Sequence, residues 1–351
     1  MMFFVYNMYK TITEGKAKIK VPVETKISKE LPVFYNPAME LNRTISVLVL
    51  TNIPNKNMQM CSPLSGTGVR EIRFIKELPA NKIKQVSIND YSTEAVKIIK
   101  ENLKLNRIKQ KTIVTCEDAN MMMLKSSGFD YIDIDPFGTP NPFLDSAIKR
   151  LAREGILAIT ATDTSALCGT HPKVCQRKYW AKPLHNHMMH EIGIRILARK
   201  VQLIGAQYEK ALTPIYSHST EHYMRIYFKC EKGKKKVDEI IKKHEMFMDA
   251  GPMWTGKLWD EKLSHKIATK TDNKMLKTIE EESKIETVGF HDTHQFCKKN
   301  KQKIPQTEKL IEEIRKKGFQ ATRTHFNDYG IKSNMQEKEL LETIKQINRN
   351  A

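Results

Sequence analysis

Hydrophobic and polar positions along this chain switch repeatedly between a strand period and a helical period. Residues 57 to 60 form a short apolar-leaning stretch that runs into Cys61-Ser62-Pro63-Leu64-Ser65-Gly66-Thr67-Gly68, and Val69, Ile72 and Ile75 then recur on one helical face. That pattern predicts a strand, a glycine loop and a helix. Val86-Ser87-Ile88-Asn89-Asp90 predicts an apolar strand ending in an acid, and a helix follows from about Thr93 to Leu105. Thr112-Ile113-Val114-Thr115-Cys116 predicts a third strand, running into Glu117-Asp118-Ala119-Asn120. In Phe129-Asp130-Tyr131-Ile132-Asp133-Ile134 apolar and acidic residues alternate until Pro136 and Gly138 stop the pairing. Beyond Gly155, Ile156 to Thr162 predicts a buried strand, then a loop bearing cysteine and lysine, then a long helix near Met189 to Leu203. Thr213 to Ser217 and Tyr223 to Phe228 predict closing hairpin strands, so strand and helix signals run from about residue 44 to residue 228. This is the signature of an α/β, Rossmann-like domain.

A run of lysines with Gly233, between Glu231 and Lys243, marks a charge shift and the expected boundary. Residues 1–229 are therefore expected to form the first domain and 230–351 a smaller α+β domain that holds the substrate. Within the latter, Glu261 to Glu286, Gln306 to Lys317 and Met335 to Asn350 predict polar helices. Ahead of the sheet, Glu14-Gly15-Lys16-Ala17-Lys18-Ile19 and the stretch from Val33 to Arg43 combine aromatic residues, proline and arginine. They predict either a cap over a ligand site, covering about residues 1–43, or a hairpin packed on the domain.

Charge narrows the partners. A chain of 351 residues with 40% hydrophobic content can bury sizeable cores, but its formal net charge of +19 points to a polyanion, nucleic acid foremost. No apolar run approaches the roughly eighteen residues of a membrane span. The longest, Ile45 to Leu50, is interrupted by Ser46, and no membrane partner is expected. The opening Met1-Met2-Phe3-Phe4-Val5-Tyr6 lacks the basic start and cleavage site of a signal peptide, and Met8 is an alternative start. Six cysteines are scattered without a Cys-x-x-Cys, which argues against a zinc knuckle and for a reduced, cytoplasmic protein.

The candidate chemistry sits at predicted strand ends. Gly66 and Gly68 allow close backbone approach to a ligand at a helix start. Asp90 stands where a doubly wound domain places a ribose-binding carboxylate, and an acid at 117–118 can bind the amino group of an adenine. Together with Asp135-Pro136-Phe137 these strand ends form the layout of a class I S-adenosyl-L-methionine-dependent methyltransferase domain. The exocyclic amine of a nucleobase is a poor nucleophile because its lone pair is delocalised into the ring. Asp135 can accept an N–H and then the proton, Pro136 ends the ladder, and Phe137 offers a face on which a base stacks. These residues fit an adenine, cytosine or guanine amine, and they fit RNA or DNA.

With these segments in hand, the chain resembles the archaeal and eukaryotic tRNA guanine-26 N2,N2-dimethyltransferases over nearly its whole length. The matching stretches include Glu14-Gly15-Lys16-Ala17, Phe34-Tyr35-Asn36-Pro37, Leu64 to Arg73, Asn89-Asp90, Asp118-Ala119-Asn120 and Asp133 to Pro140. Further matches are Thr160 to Thr164, Arg177-Lys178-Tyr179, His190-Glu191, Ser217 to Thr220, Ala250 to Gly256 and Arg323 to Phe326. The resemblance implies S-adenosyl-L-methionine as methyl donor and a guanosine in the tRNA core, methylated twice on N2. Carried over residue by residue, it implies that Arg43 and Arg73 hold the methionine carboxylate end, Asp90 the ribose, and Asp118 with the Ala119 backbone the adenine. Phe34, Phe137 and Phe143 would line the base pocket and Asp135 would accept the amine. Many relatives carry paired cysteines as a zinc site in the second domain, but here only Cys230 remains and no metal is predicted.

Arg177, Lys178 and Lys182 are expected in a loop that grips tRNA phosphates, extended by the lysines at 232–236. His187, His190 and Glu191 share a helical face, but the first two read as surface or family-pattern residues rather than as metal ligands. No obligatory protein partner is inferred.

Overall fold

The computed structural model describes residues 9–23, 33–220 and 222–350, so the expectations about Met1 to Tyr6 and Met8 lie outside the described residues. Strands β1 (Tyr9–Glu14) and β2 (Ala17–Pro22) form an antiparallel hairpin around Gly15-Lys16. Gly15 lies at φ 54, and a Cβ there would stand 2.3 Å from Glu77 Oε1, so the turn demands glycine for both conformation and space. Ala17, Ile19 and Val21 pack with Val69 and Ile72. Asn106 and Asn102 accept the Lys18 and Lys20 amides at 2.9 and 2.7 Å, standing in for a neighbouring strand. Residues 9 to 22 are thus a hairpin packed on the domain.

A 3-10 turn at Pro37–Met39 leads into α1 (Glu40–Asn52). Strand and helix then alternate: β3 (Met58–Ser62), α2 (Val69–Glu77), β4 (Ile83–Asn89), α3 (Thr93–Leu105), β5 (Thr112–Thr115), α4 (Ala119–Lys125), β6 (Phe129–Ile134), α5 (Asn141–Arg150) and β7 (Leu151–Ala161). After α6 (Thr164–Leu167), α7 (Pro172–Tyr179) and α8 (Met189–Ala206) come β8 (Lys210–Thr220) and β9 (Tyr223–Lys232). The seven strands order as β5-β4-β3-β6-β7-β9-β8. β3 pairs in parallel with both β4 and β6, so the strand order reverses between β3 and β6. In open α/β sheets that reversal opens a crevice at the carboxyl ends of the two strands.

The chain divides into two compact units, one of Met1–Thr162, Ile204–Thr213 and Tyr227–Val237, the other of Asp163–Leu203, Pro214–Ile226 and Asp238–Ala351. This differs from the single expected boundary at 229/230. The reason lies in what residues 163–203 touch. The Arg195 guanidinium donates to the carbonyls of Trp254 and Gly256 at 3.0 and 2.8 Å. The Lys332 ammonium lies 3.1 Å from both Glu191 oxygens. Burial works to raise the Glu191 pKa, but the Lys332 and Arg195 charges bring it down to about 2. Breaking a buried, paired ion set of this kind strands a charge at a cost of about 3–5 kcal/mol. Similarly, Trp259 Nε1 donates to the Ser217 carbonyl at 2.8 Å, which ties 214–226 to the C-terminal segments.

The second unit also holds the second half of α9 (Lys234–Ile241), from Asp238 on, with β10 (His244–Phe247), β11 (Ala250–Trp254), α10 (Glu261–Ala268) and α11 (Lys274–Glu282). A three-stranded antiparallel sheet of β12 (His291–Asp292), β14 (Asn327–Ser333) and β13 (Ala321–Thr324) packs with α12 (Thr293–Lys299), α13 (Thr307–Lys316) and α14 (Glu337–Arg349). Their shared core includes Leu310, Ile314, Ile331 and Ile344.

The lysine run opens α9. Two local expectations need correction. The helix expected over 261–286 is two helices, because Asn273 leaves helical geometry and caps α11 through the Leu276 amide at 3.2 Å. The loop expected to carry Arg177 and Lys178 is α7, started by Pro172 and anchored by buried Cys175 and Tyr179, four residues apart on one face.

Candidate active site

The first unit gathers the predicted strand-end residues at the carboxyl edge of its sheet. Gly66 lies at φ 55, and a Cβ on it would come within 2.7 Å of the Phe34 carbonyl oxygen, so the segment at 34 closes over the glycine loop. Gly68 caps α2 in the left-handed conformation with no side-chain hydrogen bond to the helix start. Asp90 follows β4 directly and accepts from the Gly66 amide at 2.8 Å and the Ser92 amide at 3.0 Å. Burial pushes its pKa up while those amides oppose the shift. Asp118 caps α4, accepting from Asn120 and Met121 at 2.9 and 3.0 Å, and Ala119 is the buried first residue of that helix.

Asp135-Pro136-Phe137 follows β6. The loop is fixed from behind by Thr162, whose hydroxyl accepts the Gly138 amide at 2.6 Å and whose own amide donates to the Gly138 carbonyl at 2.9 Å. Asp135 Oδ2 is held by the NH2 group of Arg70. Arg70 is itself buried, donating through NH1 to Asn42 at 2.9 Å and Ser46 at 2.7 Å, with Nε 3.6 Å from Asp133. Ser46 is hydrogen-bonded to the Tyr227 hydroxyl at 2.7 Å. One guanidinium thus joins α1, α2 and the end of β6, and sets the direction of the Asp135 carboxylate.

Sequence reasoning passed over Arg70, and the signal was there. It lies within the matched stretch Leu64 to Arg73 and three residues before Arg73. A charged residue on a helix ordinarily reads as solvent-facing. Its neighbour Glu71 was missed for the same reason. It is 1% exposed, and its Oε2 has no hydrogen-bond partner among the described residues. Burial pushes its pKa from 4.5 up to about 7, against the Ser62 hydroxyl and the Arg70 charge.

The raised value sets a pH dependence. Native protein holds the Glu71 proton over a window where the unfolded chain has released it, so stability falls as pH rises from about 4.5 through about 7. The shift corresponds to roughly 3 kcal/mol. Glu71→Gln, which stays neutral, is expected to exceed the parent in urea-unfolding stability at pH 8 and to match it near pH 5. Parallel stability curves for the two proteins would contradict this assignment.

Arg43 and Arg73 converge on one carboxylate. Glu14 accepts from Arg43 Nε at 2.7 Å, from Arg73 NH1 at 3.0 Å and from the Tyr35 hydroxyl at 3.0 Å. Burial opposes ionisation of Glu14, but the Arg43 and Arg73 bonds hold its pKa below normal. Arg73 also pairs with Glu77, Nε to Oε1 at 2.7 Å. Both arginines are therefore oriented by the hairpin and by α2.

Of the three aromatic residues, Phe34 and Phe137 meet edge to face with centroids 4.2 Å apart, and Phe137 is 43% exposed. Phe143 is half-buried on α5, and no ring pair joins it to the other two among the described residues. In the second unit Arg177 is exposed, whereas Lys178 pairs with Asp163 at 3.3 Å and Lys182 with Asp249 at 2.9 Å. Glu191 is committed to its buried ion set, and no group of three or more His, Cys, Asp or Glu among the described residues is arranged to hold a metal. No helix among the described residues is long and apolar enough to cross a membrane.

Comparison with known proteins shows the family and the fold. The family model described as N2,N2-dimethylguanosine tRNA methyltransferase matches residues 15–250 and 243–345. The tRNA (guanine(26)-N(2))-dimethyltransferase of Methanobrevibacter smithii is 41% identical, the match covering 96% of this chain and 97% of that protein. The tRNA (guanine(26)-N(2)/guanine(27)-N(2))-dimethyltransferase of Aquifex aeolicus is 37% identical over 96% of each. Among solved structures, Trm1 from Pyrococcus horikoshii in complex with S-adenosyl-L-methionine superposes with a TM-score of 0.87 at 34% identity, covering 95% of this chain and 99% of that one. The chain belongs to the N2,N2-dimethylguanosine tRNA methyltransferase family.

Proposed function

We propose that this protein transfers two methyl groups from S-adenosyl-L-methionine to the exocyclic N2 of guanosine 26 in tRNA, with Asp135 as the acceptor for the amine. The observation that carries the reading is the Asp135 carboxylate, held through Oδ2 by buried Arg70, two residues before the exposed Phe137, whose ring meets that of half-buried Phe34. The residues fit the donor. The glycine loop at Gly66 and Gly68 is shaped for close approach, Asp90 borders it as a ribose partner, and Asp118 with Ala119 stands at the next strand end for the adenine. Arg43 and Arg73, aligned by Glu14, are the partners for the carboxylate end. When bound, the donor supplies an electrophilic methyl on a sulfonium.

The protein's part is orientation and proton acceptance. Phe137 and Phe34 take the extracted base by stacking, which offsets an extraction cost of a few kcal/mol. Asp135 Oδ1, the oxygen not bonded to Arg70, accepts an N2 hydrogen and turns the nitrogen lone pair toward the methyl. As the N–C bond forms and the C–S bond breaks, one N2 proton passes to Asp135 and then to water. Guanine N2 carries two hydrogens, so the cycle runs twice and then stops for want of a proton. The second unit, with Arg177 exposed on α7, contributes to holding the tRNA, whose binding is expected to weaken steeply with salt.

A pair of transcripts tests the reading. With guanosine at position 26 the product is N2,N2-dimethylguanosine at that site. With inosine there, the amine is missing and no methyl is incorporated, although the transcript still competes for the enzyme. Methylation of the inosine transcript at an unchanged rate would place the chemistry on another nucleotide.

A further inference from the structure

Trp180 carries two features that folding alone does not reward. It ends α7 in the left-handed conformation, φ 56 and ψ 37, where glycine is the usual residue. Its indole is also 47% exposed. The other two tryptophans behave as core residues: Trp254 and Trp259 are buried, and their indole N–H groups donate to the Lys257 and Ser217 carbonyls.

Under the Trp180 ring lies an ammonium. Lys200 is only 6% exposed and its Nζ is 3.0 Å from the ring centroid. No carboxylate among the described residues pairs with it. Burial, with the Arg199 charge second, pushes its pKa down to about 8. Arg199 adjoins the same place, donating through NH1 to the Trp180 carbonyl at 3.2 Å while its buried Nε has no partner among the described residues. Arg177, on the last turn of α7, is exposed. The contrast with Lys178 and Lys182 is direct, because those two are neutralised by Asp163 and Asp249.

The indole face stabilises the Lys200 ammonium from within the fold, while no anion among the described residues pairs with Lys200 or Arg199. The missing partner must offer a flat π face for the indole and a negative charge for the guanidinium groups. A nucleotide with an unstacked base has both. We propose that Trp180, with Lys200 beneath it and Arg199 and Arg177 beside it, is a second nucleotide-binding site. The indole stacks an unpaired base of the RNA substrate, remote in sequence from the Asp135 loop, and the arginines take its phosphate. The proposal rests on the reading of tRNA as substrate.

Because the other two tryptophans are buried, the solvent-exposed, red-shifted component of tryptophan fluorescence of the full-length protein reports Trp180. Titration with a tRNA transcript is expected to quench the exposed component in the parent and not in Trp180→Phe. Trp180→Ala is expected to raise KM for tRNA about ten-fold, with a smaller change in kcat, and Trp180→Phe to recover part of that loss. An unchanged thermal-unfolding profile by calorimetry certifies that each variant is folded in both units. Wild-type KM in Trp180→Ala, or full quenching in Trp180→Phe, would overturn the site while leaving the methylation reading intact. Quenching by RNA in a protein that makes no dimethylguanosine would do the reverse.

Discussion

Asp135→Asn is expected to lower kcat for tRNA methylation by about 10²- to 10⁴-fold, the range that a positioned proton acceptor contributes, with donor affinity and tRNA KM little changed. Asparagine keeps the size of the side chain and an oxygen that can accept a hydrogen bond, but it cannot take the proton that N2 must lose. The prediction is sharpened by the setting. Asp135 follows a strand paired on both sides, to β3 through Tyr131 and Ile132 and to β7 from Tyr131 to Ile134, and its loop is clamped to Thr162 in both directions. The substitution therefore has little room to act by moving the loop. Single-turnover rates at saturating donor and tRNA check it, and an Asn variant within three-fold of the parent would remove Asp135 from the chemistry.

The second large effect is expected at Arg70. Its guanidinium faces Asp133 and Asp135 and also serves Asn42 and Ser46, so it is a positioning residue acting through Asp135. Arg70→Met strands two acids near one another and is expected to cost about 3–5 kcal/mol of stability together with most activity. Arg70→Lys separates the roles. A lysine restores one positive charge but cannot span Asn42, Ser46 and both carboxylates from a planar fork. It is expected to stay folded, bind donor normally and lose about ten-fold or more in kcat, with tRNA KM nearly unchanged. A loss of stability with no loss of kcat in the folded Lys variant would make Arg70 purely structural.

These two residues also mark where the sequence could and could not be read. The helix from Thr93 to Leu105 was legible because local periodicity and burial coincide there, whereas the strands at Phe129–Ile134 and Thr112–Thr115 were legible from residue type alone, since Asp133 is buried and Ile113 exposed. Asp135, Asp90 and Asp118 were legible as strand-end or helix-cap acids, positions that a doubly wound sheet brings to one edge by topology alone. Arg70, Glu71 and Glu14 were not, because a buried charge leaves no trace in hydropathy. What buries Glu14 is two arginines distant in sequence and a hairpin that only the fold brings together. The unit boundaries escaped for a similar reason. Residues 163–203 join the second unit through Arg195 and Glu191, whose partners lie far downstream at Trp254, Gly256 and Lys332. Arg177 and Lys178 were placed in a loop because α7 has only Cys175 and Tyr179 as buried anchors, too few to stand out as a helical stripe.

The relatives also frame the question of target. One is named for guanine 26 alone and another for guanines 26 and 27. The two positions are neighbours on one strand, so the choice depends on which base is extracted rather than on the acceptor itself. The most direct measurement is the mass of the nucleoside at position 26 after one round with saturating donor, for the parent and Asp135→Asn side by side. N2,N2-dimethylguanosine is expected from the parent and unmodified guanosine from the variant, with both proteins bound to the tRNA. Equal dimethylation by the two, or methyl groups found only at another nucleotide, would contradict it.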